Sequence, residues 1–175
     1  MRRDIYSEYI TPNMRVSENV ESALHVCVIL AAVSRSRRLP ASRLAQFHDL
    51  PAASLSKQVQ LLAVAGLIVG STGRVGGYRL ARPAAEITVL DVVQAVEGSE
   101  PGFRCQEIRR RGPCTGRNRR YTARCAVALT MDAAEEAWRD ALRAVSLADL
   151  GSKVAAQLDA RTVSATQKWL AEHAR

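Results

Sequence analysis

The fold turns on residues 41–80, ASRLAQFHDLPAASLSKQVQLLAVAGLIVGSTGRVGGYRL. The first eight of these predict a short helix, broken at Asp49-Leu50-Pro51, where proline removes a backbone donor and disfavours helix in the residue before it. A second helix then runs to about Ala65, with Leu55, Val59 and Leu62 recurring at helical spacing as its inner face, and Gly66 stops it. Two helices joined by a tight turn, the second opening on small polar residues, describe a helix-turn-helix. Next come Leu67-Ile68-Val69-Gly70-Ser71, a glycine-rich turn through Gly73, Gly76 and Gly77, and Tyr78-Arg79-Leu80, which read as a β-hairpin. A helix-turn-helix followed directly by a hairpin is a winged helix.

Working outward, Ser17 is placed to cap a long first helix with Glu18 and Glu21 in its first turn and one buried stripe of Val20, Leu24, Cys27, Val28 and Ala31. On the other side, Thr88 with Asp91 makes a capping-box start for a helix over 89–97 that Gly98 ends. Residues 98–125 lack any hydrophobic period and hold Cys105, Cys114 and Cys125; a loop that long in a compact domain carries function or is disordered. Val127, Met131, Ala134, Trp138, Leu142 and Val145 then recur at steps of four and three, the spacing of helix pairing. Ser146 with Asp149 starts a short further helix, and residues 162–175 form a last amphipathic turn or two around Trp169. The expected fold class is mainly α with a small β-hairpin, a winged helix-turn-helix plus a long dimerisation helix. Its expected parts are an N-terminal arm (1–13), a DNA-binding domain (14–97), a cysteine loop (98–125), the dimerisation and following short helix (126–150) and a C-terminal tail (151–175).

The chain has 175 residues, 25 Lys and Arg against 17 Asp and Glu, a net charge of +8 and 47% hydrophobic composition. That suits one compact domain with an arm. No apolar run approaches the roughly 18 residues of a membrane span. The first apolar stretch, around 23–33, starts too far in for a secretory signal and contains His25 and Cys27. The cytoplasm is therefore expected, and in that reducing compartment cysteines read as thiols or metal ligands rather than structural disulfides.

The charge is uneven. Residues 35–82 carry eight bases (Arg35, Arg37, Arg38, Arg43, Lys57, Arg74, Arg79 and Arg82) against Asp49, and residues 98–125 carry eight Arg against Glu100 and Glu107. Two basic zones on an otherwise acidic body imply a polyanion partner for at least one of them. In a helix-turn-helix the second helix enters the major groove, so Ser54, Ser56, Lys57 and Gln60 are its candidate base contacts and Arg43 a backbone contact. At the wing tip, Thr72 and Arg74 are the candidates, with Arg74 suited to a narrow minor groove. The alternative is an ordinary core helix beneath solvated arginines; the hairpin in the right place and the local basic excess favour DNA.

Cys105, Cys114 and Cys125 stand eight and ten residues apart, a spacing that suits iron-sulfur ligation or thiol redox sensing and not the close ligand pairs of a zinc finger. The arginines around them would stabilise thiolates. The order VESALHVCVILA, LSKQVQLLAVAGLI, GRVGGYRLARPAAEITVLDVVQAVEG, a cysteine loop and SLADL resembles the IscR- and NsrR-like family of iron-sulfur transcription regulators, from about Met14 to Leu150. Within it, the chain is most similar to the RsrR-type redox regulators. The resemblance implies a homodimer paired through the helix around residues 127–145 and a cluster of the 2Fe-2S kind, favoured over 4Fe-4S.

The common family pattern sets its three cysteines closer together, which puts three equivalent ligands in question. Glu21 and His25, four residues apart, share a helix face next to the buried stripe, and a carboxylate with an imidazole can complete a site begun by two thiolates. The RsrR-type resemblance, through VESALHVC, implies the same set: Glu21 and His25 from one subunit, Cys105 and Cys125 from the other. Cys114 is then a spare thiol, or the third ligand of a 4Fe-4S cluster. A surface ion pair is the plainer reading of Glu21 and His25. Cys27 reads as a small buried hydrophobe, and His48 and His173 as solvent residues.

The expected function is thus a redox- or nitric-oxide-responsive transcriptional regulator, not an enzyme, whose cluster controls binding of a homodimer to a pseudo-palindromic operator. A cluster-free repressor that senses oxidants through a thiol/disulfide pair is the alternative. A small zinc hydrolase finds no H-E-x-x-H or paired C-x-x-C, and a module using only the long helix would show no salt-dependent DNA affinity.

Overall fold

The computed structural model describes residues 16–73, 76–111 and 122–175, so Arg74 and Cys114 lie outside the described residues. In chain order come α1 (Glu18–Ala32), α2 (Ala41–His48), α3 (Ala52–Val64), β1 (Ile68–Ser71), β2 (Gly77–Leu80), α4 (Val89–Glu97), α5 (Ala126–Arg143), α6 (Leu147–Ala156) and α7 (Ala160–His173). The chain divides into two compact units, one of residues 16–99 with 141–175, the other containing 100–140. No helix among the described residues is long and apolar enough to cross a membrane.

The larger unit is the winged helix. Leu44, Leu55, Val59 and Leu62 from α2 and α3 meet Leu30, Leu39, Ile68 and Leu80 in one buried cluster. Fully burying side chains of this size contributes about 1.5–3 kcal/mol each before entropy is counted. The turn falls where proline and aspartate place it: α2 ends on Asp49 in the left-handed region at φ 50°, which aspartate tolerates better than most residues. Strands β1 and β2 pair antiparallel from Ile68 with Leu80 to Ser71 with Gly77. Leu39 adds a bridge to the outer edge of β2, its N–H donating to Tyr78 O at 2.9 Å and its carbonyl accepting from Tyr78 N at 2.8 Å. Gly77 is required there, because a Cβ on it would stand 2.7 Å from the Leu39 carbonyl carbon.

Helix α1 departs from the single stripe expected. Ala23, Val26, Ile29 and Leu30 are buried along with Val20 and Cys27, because α3, α4, α6 and β2 all pack against it. A helix apolar on most sides is one surrounded by neighbours. Its exposed positions reduce to Glu18, Asn19, Glu21, His25 and Ala32. Ser17 occupies the N-cap position without capping; its hydroxyl bonds the Glu97 carboxylate at 2.5 Å, tying the start of α1 to the end of α4.

Both capping boxes form. Thr88 and Asp91 exchange bonds of 2.8 and 3.1 Å, and Ser146 and Asp149 bonds of 3.0 and 3.1 Å. The two caps are also joined, Val89 N to Val145 O and Leu147 N to Ile87 O, each at 2.8 Å. This double clasp fixes α6 against α4.

Residues 151–175 are no tail. α7 is a full helix of 14 residues, N-capped by Asp159. Leu170 and Ala174 enter the core, Phe47 meets Trp169 edge-on at 5.0 Å, and His173 stacks on Trp169 at 4.2 Å. The end of the chain is clasped by reciprocal backbone bonds between Arg38 and Arg175 and by Arg37, which donates to the Ala171 and Ala174 carbonyls. His48 and His173, expected on solvent, are accordingly both half-buried.

Candidate nucleic-acid interface and cysteine pair

Helix α3 has two chemically distinct faces. Leu55, Gln58, Val59 and Leu62 are buried, while Ala53, Ser56, Lys57, Gln60 and Val64 are exposed. The exposed face therefore presents a cation, a hydroxyl and an amide along little more than one turn, groups that reach base edges and phosphates. Ser54 is exposed but accepts a bond from Gln58 Nε2 at 3.3 Å; the same nitrogen donates to Asn19 Oδ1 at 3.0 Å. Gln58, not singled out in the sequence, is thus the polar link that sets α3 against the start of α1. Its only signal was an amide at a position in step with Leu55 and Leu62.

Arg43 is half-buried and bonds Gln46 Oε1 at 2.6 Å along its own helix. Thr72 is exposed at the described end of the wing. The basic zone is less available than its count implies. Arg35 donates to Ala81 O, Arg38 to Val69 O, Arg79 to Leu80 O, and Arg37 to the end of α7. Those four guanidinium groups bond backbone carbonyls, although Arg35 stays exposed, as do Lys57 and Arg82.

In the smaller unit, Cys125 immediately precedes α5 and its carbonyl accepts from Leu129 N at 3.0 Å. The Ala128 N–H, then the Val127 N–H, the neighbouring Cys105 thiol and the positive charge of Arg109 hold Cys125 below the ordinary thiol range, against partial desolvation. Aligned N–H groups at a helix start lower a thiol pKa in this way. Cys105 is exposed, and its sulfur accepts from Glu107 N at 3.4 Å. Arg109 is held by Glu107 at 2.8 Å and by Ala123 O at 2.6 Å. Glu107 in turn lies below its usual range because of Arg109 and Arg110. The structure thus brings two thiols and a fixed cation together.

Glu21 and His25 share the exposed line of α1, in the larger unit. The His48 ring lies 5.4 Å from that of His25. Burial pushes His48 below the ordinary imidazole range and the charge of His25 adds to this, while the His25 backbone opposes it. Among the described residues, no three His, Cys, Asp or Glu side chains converge as a metal-ligand group. Each pair supplies two donors. Cys27 is fully buried, its thiol pushed up to about 12, and behaves as a core hydrophobe.

The Rrf2 family profile, described as an iron-dependent transcriptional regulator, matches residues 16–153. Among curated proteins, YwgB of Bacillus subtilis, whose name marks it as an HTH-type transcriptional regulator, is 33% identical over 85 residues. That match spans 49% of this chain and 54% of YwgB. Among solved structures, IscR of T. potens superposes with a TM-score of 0.62 at 19% identity, covering 83% of this chain and 93% of that one. The oxidised form of CymR from Staphylococcus aureus gives 0.58 at 24% identity, covering 79% and 96%. These two are likenesses of fold. The winged helix, the exposed face of its second helix and the extent of the family match lead to one conclusion: the chain belongs to the Rrf2 family of transcriptional regulators.

Proposed function

We propose that this regulator reads DNA through α3 and the wing and senses redox state or nitric oxide through a cluster held by Cys105, Cys125, His25 and Glu21. The observation that carries the reading is the thiol pair of the smaller unit: Cys125 at the start of α5, held below the ordinary thiol range, Cys105 beside it, and Arg109 fixed between carboxylate and carbonyl. The donor chemistry fits. Two thiolates suit iron-sulfur ligation, and an imidazole with a carboxylate supplies the harder donors of a mixed set. Glu21 and His25 would come from one subunit and the two cysteines from the other, in a homodimer paired through α5.

When bound, a 2Fe-2S group would supply a redox couple whose potential histidine ligation raises relative to all-thiolate ligation. The chain's own residues do the rest. Arg109 and the α5 N–H groups offset negative charge at the sulfurs. His25 would hold the group through a ring nitrogen and Glu21 through a carboxylate oxygen. Ser56, Lys57 and Gln60 contact a half-site, with Ser54, Arg43, Thr72 and Arg74 as flanking contacts, and two copies read a pseudo-palindromic operator in the cytoplasm. On this reading residues 14–97 bind DNA, 98–125 sense and 126–150 dimerise. A change in ligand set would act through the contact between α1 and the cysteine loop of the partner, re-spacing the two reading helices.

A second reading is favoured by the same proximity: Cys105 and Cys125 would form a disulfide on oxidation and act without a cluster. Iron and sulfide analysis of anaerobically purified protein separates the two. The cluster reading expects both elements in the wild type and in Cys114→Ser, and their loss in Cys105→Ser and His25→Ala. Iron-free protein whose Cys105–Cys125 disulfide appears on peroxide treatment would establish the second.

A further inference from the structure

Among the described residues, Gln58 of α3 is the one polar or charged residue that is buried, at 3% exposure. Its amide nitrogen donates to two acceptors, Asn19 Oδ1 of α1 at 3.0 Å and Ser54 Oγ, one turn earlier on α3, at 3.3 Å. Its Oε1 is buried and has no hydrogen-bond partner among the described residues. Turning the amide over would pair Oε1 and leave the nitrogen, with its two N–H groups, buried without an acceptor. Two orphaned donors cost more than one orphaned acceptor, and buried N–H groups are left unpaired more rarely than carbonyl oxygens. The amide is therefore held with its nitrogen toward Ser54.

That orientation decides what the Ser54 hydroxyl can offer. Ser54 is exposed and is the third residue of α3. Deeper in a helix a serine hydroxyl spends its proton on the carbonyl four residues back, as Ser22 does on Glu18 O at 3.0 Å and Ser152 on Ala148 O at 2.9 Å. For Ser54 that residue is Leu50, which precedes the helix. With the Gln58 nitrogen against its oxygen, the hydroxyl can donate outward; with a carbonyl oxygen there instead, the proton would turn inward and Ser54 could only accept. Accepting one bond also polarises the hydroxyl and makes it a stronger donor.

We propose that Gln58 and Asn19 are a positioning pair that keeps the Ser54 hydroxyl proton free for DNA, so that α3 opens on a donor offered to hydrogen-bond acceptors. In a helix-turn-helix the side chains at the N-terminal end of the second helix are the ones that reach base edges. The acceptors within reach of such a group are guanine O6 and N7, adenine N7, thymine O4 and the phosphate oxygens. The inference rests on the reading in which α3 enters the groove, and it uses nothing of the cluster.

Fluorescence anisotropy of the full chain tests it, with an operator selected from random duplex DNA and with an unrelated duplex. Ser54→Ala is expected to weaken operator binding about fivefold or more, a hydrogen bond being lost from each of two copies. The same substitution is then made beside Asn19→Asp, whose side chain only accepts, and beside Asn19→Lys, whose ammonium only donates and so draws Oε1 toward it and turns the Gln58 amide over. Asn19 is exposed, so neither change disturbs the core. The cost of Ser54→Ala should persist beside Asn19→Asp and fall to within about twofold, the precision of additivity, beside Asn19→Lys. Comparing each pair within its own background cancels the charge added at residue 19, and a merely structural Gln58 would leave the cost equal in all three. A cost on the operator alone assigns the acceptor to a base edge, and an equal cost on both duplexes assigns it to phosphate. The proposal is overturned if Ser54→Ala costs nothing in the wild type, or costs as much beside Asn19→Lys as beside Asn19→Asp. Where Lys57→Ala then still weakens binding, only this inference fails; where it does not, the reading of α3 fails with it.

Discussion

Replacing Lys57 with alanine and, separately, Leu62 with alanine perturbs opposite faces of α3, and the two substitutions should separate folding from DNA binding. Lys57 is exposed and Leu62 fully buried. Leu62→Ala removes a side chain from the centre of the core and should cost about 2–5 kcal/mol, a large share of the roughly 5–15 kcal/mol that holds a typical domain together. Lys57→Ala, on the surface, should leave stability within about 0.5 kcal/mol. If Lys57 meets phosphate, each lost contact lowers the slope of log affinity against log salt by about 0.9. A dimer carries two copies, so the slope falls by about 1.8, and across a fourfold rise in salt the variant's affinity should drop roughly twelvefold less than the wild type's. Urea denaturation gives the stabilities, and fluorescence anisotropy with duplex DNA at 50 and 200 mM salt gives the slopes. Unchanged affinity and slope in Lys57→Ala, or a loss of stability matching that of Leu62→Ala, would refute the two-faced reading of α3.

Further outcomes follow from local geometry. Gly77→Ala, which sets a Cβ against the Leu39 backbone, should cost about 1–3 kcal/mol by overpacking, measurable as a lower urea midpoint. Thr88→Ala removes half of the α4 capping box and should cost about 1 kcal/mol, a fall in Tm of roughly 2–4 °C by calorimetry. In cluster-free protein, Cys125 is held below the ordinary thiol range, so its thiolate persists at lower pH. Its alkylation rate, followed by mass spectrometry, should rise with pH to a midpoint below that of a free cysteine, and Arg109→Leu should move that midpoint upward. A midpoint that Arg109→Leu leaves in place would remove Arg109 from the account.

The winged helix was legible because its signals are local: Pro51 and Gly66 punctuate two short amphipathic segments, and the glycines around residue 76 leave room only for a hairpin. Both capping boxes were legible for the same reason, since their partners lie three residues apart. What escaped depended on distant contacts. The burial of α1 on several sides comes from α3, α4, α6 and β2 together, which a stripe of apolar residues cannot announce. α7 carries few large apolar residues, and Trp169, Leu170 and Ala174 acquire meaning only against Phe47 and the α1–α2 link. The basic zone of 35–82 marked the right domain, but which arginines face solvent was decided by carbonyls up to 137 residues away. At the cysteine pair, the residue types could be read in advance, while the cation fixed beside them required the turn that places Arg109 against Glu107 and Ala123. Glu21 and His25 were legible as a helical pair; their neighbour His48 was not.

The central claim is that the oxidation state of a cluster bound through Cys105, Cys125, His25 and Glu21 sets affinity for the operator. Its most direct test is the anisotropy titration of anaerobically purified protein against an operator selected from random duplex DNA, before and after stoichiometric reduction, with absorption and electron paramagnetic resonance spectra on the same samples. The account predicts a 2Fe-2S signal in the reduced sample and an affinity change of roughly 5- to 150-fold between the two states, the range of ordinary allosteric coupling. That change should disappear in Cys125→Ser. Equal affinities in two spectroscopically distinct states, or an anaerobic sample with no cluster signal and unaltered operator binding, would contradict it.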